Sequence, residues 1–403
     1  MVAPLPAAWG ATAPVTPAAS GELAYQAAGY GTQVTENLVV QSGRSALSTL
    51  GCTATAGITH TNTAASVTTP VLSTGTIDTS AASQTTATGP ASVGSSTVQG
   101  ASLLGGLVGV TTLHSVSTTS QDSSTGVLST SSAGTQFLGL NVLGIPITGT
   151  VAPNTKITLP GVGSVILNQQ YGHVYKRTAT MTVIAIHISV SLSTPLAPIG
   201  TQIIVGFATS SLGGPVSGLL SGLSYGARAK VLGGALLAGN LFPQPLGCLG
   251  SDGNTKTNTG VGIGILGELT SGTVIDTAEG LDKAKHPQAT TTSTVEGLNL
   301  GGLVTATAVE ASVSATGNPP AFTDNSQFLG LTVSGFPGLS ANPPANTKLK
   351  LPGIGTLWLH KVTTTATTET VIMVQLDVNV AGNPLGLALG TQVNVGYATV
   401  DIN

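Results

Sequence analysis

Two cysteines, Cys52 and Cys248, and six histidines, His60, His114, His173, His187, His286 and His360, are the residues best suited to redox or metal chemistry in this 403-residue chain. Their spacing supports little of it. No HExxH, HxH, CxxC or CxxCH pattern occurs, and a zinc site needs three or four convergent ligands. In an internal repeat described below, His187 and His114 align with Gln375 and Glu310, as expected of solvated surface positions. Asp276, Glu279 and Asp282 form a spaced acidic run beside Lys283 and Lys285. A calcium loop would cluster such carboxylates; a solvated loop or helical face is the plainer reading.

Nucleophilic chemistry fares no better. The one GxSxG match, Gly222 to Gly226, follows a Gly/Ser-containing joint, and the first repeat has Gly29 where the second has Ser224. A nucleophile elbow needs a strand before it and a helix after it. Gly262, Gly264 and Gly267 form a GxGxxG after a polar TKTNTG stretch, with no following Lys-Ser/Thr to make a phosphate loop. Glycoside chemistry needs two opposed carboxyls, and the first repeat holds only Glu22, Glu36, Asp78 and Asp122. The expectation is a chain that is not an enzyme and has no catalytic residue, metal or cofactor. Asn-Thr-Lys recurs at Asn154–Lys156 and Asn346–Lys348. It reads either as a turn with an outward Lys or as an Asn–Lys isopeptide crosslink through Lys156 and Lys348, which would require buried lysines.

Composition narrows the class. Twelve Lys+Arg and 15 Asp+Glu give a net charge of -3 and only 7% charged residues, against about a quarter in ordinary domains. Nucleic-acid binding needs a basic footprint, and amphipathic helices need charged faces; neither is supplied overall. The surface must consist of Ser, Thr, Asn, Gln and Gly, which repel copies weakly. Apolar stretches such as Val231–Leu241 are too short to span a bilayer as helices. The opening MVAPLPAAWG lacks a basic segment and an apolar core, so we expect numbering that starts on a trimmed chain, exported by a signal peptide outside it.

What must position these residues is a tandem duplication. TQFLGLNVLGIP (Thr135–Pro146) returns as SQFLGLTVSGFP (Ser326–Pro337), and GTQIIVGFAT (Gly200–Thr209) as GTQVNVGYAT (Gly390–Thr399). APNTKITLPGVGSVIL (Ala152–Leu167) returns as PANTKLKLPGIGTLWL (Pro344–Leu359), at offsets that stay between 188 and 196. The organisation predicted is an Ala/Pro-rich tail (1–20), then repeats over 21–212 and 213–403. Period-2 alternation predicts strands, with Ile184, Ile186, Ile188, Val190 and Leu192 buried in one copy and Ile372, Val374, Leu376, Val378 and Val380 in the other. Ile203, Val205 and Phe207 should lie beside them. The fold class is all-β: two tandem homologous β-sandwich or jelly-roll-like domains. Short helices are expected only near Pro215–Leu220 and Ala278–Ala284.

The block FLGLNVLGIPITGTVAPNTKITLPGVGSVILNQQ resembles the signature part of secreted actinobacterial β-domain proteins of the choice-of-anchor P type, with an APNT-like turn, an LPGLG-like turn and a TLN-like strand. The pattern falls at Ala152–Gln169 and in looser form at Ala345–Leu359, where Leu359-His360 replaces Leu167-Asn168. The resemblance implies an exported, extracellular or cell-surface β protein and no activity.

A secreted chain with two cysteines usually pairs them. Because Cys52 and Cys248 are equivalent points, an intrachain bond requires the repeats to face one another; an intersubunit bond and two buried thiols are the alternatives. The function expected is an extracellular structural protein, a self-assembling subunit of a fibre, filament or surface layer. A cell-surface adhesin or glycan/polymer-binding module is the alternative. The partner expected is another copy, head-to-tail through the N-terminal region within residues 1–41, with Thr32–Gln41 adding to a neighbour's sheet. No nucleic acid and no membrane span are expected.

Overall fold

The computed structural model describes residues 22–403, apart from 37–38, 43, 196, 215, 217, 231–235, 266–267 and 283–285. The Ala/Pro-rich tail lies outside the described residues. The chain is almost wholly antiparallel strand; one 3-10 turn, Leu104–Gly106, is its helical element among the described residues. Ala278 to Leu281 extends a strand, Leu269–Leu281, where a helix was expected.

Four sheets form two sandwich-like bodies. In the first, a seven-stranded sheet includes Ala24–Glu36, Gly163–Tyr175, Thr178–Val190 and Gln202–Gly213, and it faces a ten-stranded sheet drawn from residues 59–146. In the second, a seven-stranded sheet includes Leu220–Lys230, Gly355–Thr364, Thr368–Val378 and Gln392–Ile402. It faces another seven-stranded sheet drawn from residues 256–333. The apolar clusters divide in the same place, one drawn from residues 220–402 and two from residues 25–212.

Turn chemistry fixes the strand ends. In LPGVG and LPGIG, Pro precedes a glycine at positive φ (Gly161, 73°; Gly353, 72°), and the next amide returns to the leucine carbonyl, the Pro-Gly signature of a type II turn. Asn154 and Asn346 are left-handed (φ 58° and 62°). Their side-chain oxygens accept the Gln170 and Val362 amides at 2.8 and 3.1 Å, which pins each Asn-Thr-Lys segment to its neighbouring strand.

The alternation expected through Thr178–Val190 changes phase midway. Ala179, Met181 and Val183 point into the sandwich at one end, and Ile186, Ile188 and Val190 at the other. Ile184 sits on the opposite face, paired with Phe207. Register places Asn168, Ala185, Gly206 and Gly31 on a single row across four strands, and His360, Met373, Gly396 and Gly226 on its counterpart. Asn168, Gly206, His360 and Gly396 all have positive φ (51°, 69°, 51° and 62°). Each left-handed residue re-aims the chain and restarts the alternation out of phase, so the row is a crease. Phe207 therefore leaves the core face and stacks on Tyr30, ring centroids 4.4 Å apart. Leu192 and Val380, expected in the core, lie beyond their strands and are exposed.

The crease divides each sandwich into unlike halves. On one side Leu, Ile and Val fill the gap, including Ile77, Leu103, Leu113, Leu167 and Ile188. On the other side the sheets nearly touch. A Cβ on Gly29 would lie 2.2 Å from the Ser95 carbonyl oxygen, and one on Gly94 would lie 2.4 Å from that of Thr209. Hydroxyls bridge this thin half: Ser92 Oγ donates to the Gln26 carbonyl (2.7 Å) and Ser117 Oγ to that of Met181 (2.8 Å). In the second body Ser224 and Thr291 donate likewise to Thr277 and Thr399. Buried Ser and Thr cost little here because each of these finds a carbonyl.

Cys52 and Cys248 are bonded, with Cα atoms 5.3 Å apart. Equivalent points of the repeats thus face each other. The equivalent edge strands Val39–Ser42 and Leu236–Leu241 also lie against one another. Thr32–Gln41, expected to add to a neighbour, folds within its own sheet: its first residues pair with Gln202–Gly213, and Val39 and Val40 pair back on Glu36 and Thr35.

A candidate binding face on the second sandwich

The outer face of the second body's Leu220–Lys230 sheet gathers groups that lie far apart in sequence. One row across five strands reads Lys348, Trp358, Gln375, Asn394, Arg228. The next row reads Lys350, Thr356, Asp377, Gln392, Lys230, and across the crease come Lys361, Ile372, Tyr397 and Tyr225. Lys348 and Lys350 share this face because Leu349 and Leu351 turn inward in the period-2 alternation. Five of the chain's 12 Lys+Arg therefore stand on three rows, against one carboxylate, Asp377.

The groups are ordered by contact. The Lys348 and Lys361 ammonium groups lie 4.7 and 5.3 Å from the Trp358 ring centroid, within cation–π range. Lys361 Nζ donates to Gln375 Oε1 (3.0 Å), Gln375 Nε2 to Asp377 Oδ1 (2.9 Å), and Gln392 Nε2 to the same oxygen (2.7 Å). Tyr225 and Tyr397 stack at 4.3 Å. Burial pushes the Tyr225 hydroxyl up to about 12, tempered by the Asn394 amide and the Arg228 guanidinium. An open depression of about 470 Å³ continues the face at the Pro352–Gly353 turn, lined in part by Lys348, Lys350, Thr356 and Asn379.

The first body has the same rows with other residues: Lys156, Ile166, His187, Ile204, Gln33, then Thr158, Ser164, Ser189, Gln202, Thr35. These rows keep one cation, with Arg44 over Tyr30 beyond them, and the tryptophan is an isoleucine. His187 is engaged by Gln169 and Gln202 at 2.8 and 2.9 Å, and burial lowers its pKa. One backbone thus carries two differently equipped faces.

The other sequence candidates are placed as follows. Lys156 and Lys348 are exposed, and the adjacent Asn side chains are committed to backbone amides. The crosslink reading fails on both counts, since it requires a buried Lys. Ser224 of the GxSxG is fully buried mid-strand and donates to the Thr277 carbonyl; it is no elbow. Among the described residues no three metal-ligating side chains converge. The acidic run does not form a solvated loop or helical face: Glu279 is exposed, Asp282 pairs with Arg177, and Asp276 is completely buried. Neither oxygen of Asp276 makes a well-aligned hydrogen bond; the Ser293 hydroxyl and the Gly226 amide lie close by and only partly offset the burial. Burial pushes its carboxyl up to about 8.

No family model matches the chain, and no curated protein matches it.

Proposed function

We propose that the chain is an exported, non-catalytic surface protein of the adhesin or polymer-binding class, in which the second sandwich presents the binding face. The observation that carries this is the gathering of five cations on the three rows that hold Trp358, two of them against its ring, where the matching rows of the first sandwich carry a single lysine. The Cys52–Cys248 bond fits an oxidising compartment. No described helix is long and apolar enough to cross a membrane, which leaves strand-based spanning untouched. The test is retention of the purified full chain on insoluble extracellular polymer and cell-wall preparations. Wild type should be retained, and a variant carrying Trp358→Ile with Lys361→Gln should not. Equal retention would move the function off this face.

A second reading, the self-assembling subunit, has one observation in its favour. Leu192 and Ile199 in the first body and Val380 and Leu389 in the second are exposed in matching loops, as a repeated contact between copies would need. Against edge-to-edge growth, the sheet-edge strands Thr155–Leu159 and Thr347–Leu351 carry Lys156, Lys348 and Lys350, and edge lysines discourage pairing. Microscopy and light scattering of the full chain, of deletions of residues 1–20 and 1–41, and of a Leu192→Ser, Val380→Ser variant would decide. Polymers that vanish only in the loop variant would place the contact at the loops. Polymers that vanish with the deletions would place it in the N-terminal region.

A further inference from the structure

Taking the outer face of the second sandwich as the binding site, we infer that its ligand is an acidic polysaccharide, an extended glycan bearing carboxylates on its sugar rings. The cations are arranged for a polymer. Lys348 and Lys350 stand two residues apart on the edge strand, and Arg228 and Lys230 stand two apart on a strand four places across. With strands about 4.8 Å apart, the two pairs are separated by roughly 19 Å, which a single small anion cannot bridge. Between them lie groups suited to a sugar. The indole of Trp358 is half-exposed and can take the apolar face of a ring, as amphipathic aromatics do. Gln392 presents a partly exposed amide that both donates and accepts, which is what hydroxyls require, while Gln375 and Asn394 lie buried beneath the face, Gln375 holding Lys361 in place.

The choice of cation and the aromatic count narrow the class. Four of the five cations are lysines, mobile point charges that suit carboxylates spaced along a flexible chain. Rigid bidentate recognition of phosphate would favour arginine, and the single arginine, Arg228, has its Nε buried without a partner among the described residues. A single-stranded nucleic acid needs successive stacking platforms. Here Tyr225 and Tyr397 stack on one another and Tyr225 is buried, so Trp358 stands alone. The depression beside Lys350 and Asn379 leaves the row open at the edge, so a chain can run past it.

The first sandwich supplies substitutions its own backbone already accepts. Trp358→Ile, Lys350→Thr and Arg228→Gln each install the residue found at the matching position. The experiment measures binding of the disulfide-intact full chain to polygalacturonate, to the same polymer methyl-esterified, to a neutral glucan and to a single-stranded DNA. Binding to polygalacturonate should weaken at least tenfold on esterification and fall with added salt. Trp358→Ile and the Lys350→Thr, Arg228→Gln pair should each weaken it about tenfold, with melting temperature as the check on folding. Lys156→Gln, on the matching face of the first sandwich, should leave it unchanged. Equal binding to the esterified or neutral polymer would overturn the ligand class while leaving a polymer-binding face in place. Tighter binding to DNA, or no binding to polygalacturonate, would also overturn the ligand class. Unchanged affinity in folded Trp358→Ile and Lys350→Thr, Arg228→Gln variants would overturn the site itself.

Discussion

Position 276 holds a carboxyl where the matching strand of the first sandwich has Thr79. Thr79 Oγ1 is held by main-chain carbonyls and by Ser48, whereas Asp276 has only the nearby Ser293 hydroxyl and Gly226 amide, neither well aligned, to set against its burial. Burial raises the folded-state pKa from 3.8 to about 8. The folded protein therefore holds a proton that the unfolded chain releases, and stability is greatest below about pH 4, falls as pH rises toward 8 and is flat above. Asp276→Asn should stabilise the protein by about 2–4 kcal/mol at pH 8 and by almost nothing at pH 4. Urea melts at pH 4, 6 and 8 check this, and destabilisation at pH 8 would mean that the carboxylate is ionised and paired. Sequence spacing concealed this residue, because acids beside Lys283 and Lys285 look solvated. The signal that could have found it is the alternation Val274, Asp276, Ala278, which puts the acid on an apolar face.

Strand identity was legible from period 2, but strand facing was not, because one run of apolar residues spans the crease. Its markers were in plain view: Gly206 and Gly396, with Gly31 and Gly226, recur in both repeats at the rows where the phase breaks. Gly206 needs φ 69°, and a Cβ there would lie 2.4 Å from Leu113 Cδ1. Gly206→Val should cost about 2–4 kcal/mol, through strained φ and overpacking together. Differential scanning calorimetry reads the loss, and an unchanged melting temperature would mean that the crease tolerates an ordinary strand residue. Ile186, fully buried just past the crease, gives the core test. Ile186→Asp should abolish folding of the first sandwich, seen as loss of its melting transition, whereas normal melting would put Ile186 outside the core.

The duplication was the clearest message of the sequence, and the facing arrangement of the repeats followed once the cysteines were paired. The location of the candidate face could not be read in advance. Its cations come from three strands far apart in sequence, and a chain with net charge -3 shows no basic block. Only register brings Arg228 into line with Lys348. Besides the disulfide, the facing edge strands and two ion pairs, Lys176–Asp252 and Arg177–Asp282, join the bodies. The Lys176–Asp252 pair is exposed at both ends, and such pairs contribute at most about 1 kcal/mol. Replacing Cys52 and Cys248 by Ser should therefore cost about 3–5 kcal/mol and split one melting transition into two. A single unshifted transition would show that the edge strands alone hold the bodies together.

The same bond decides which part of the chain bears a mechanical load. Tension applied between residues 22 and 403 runs through the segment from Ala24 to the strand Ser48–Thr53 that holds Cys52, crosses to Cys248 and continues toward the C-terminal end. The intervening 196-residue separation stays slack, and it contains the entire ten-stranded sheet. Pulled as oxidised protein, the molecule should never pay out that segment. Under reductant, the same pull should yield roughly 650–700 Å of additional contour length, a difference that single-molecule force spectroscopy resolves directly. In an oxidising setting, the first sandwich's ten-stranded sheet would thus outlast forces that strip the strands on either side of it.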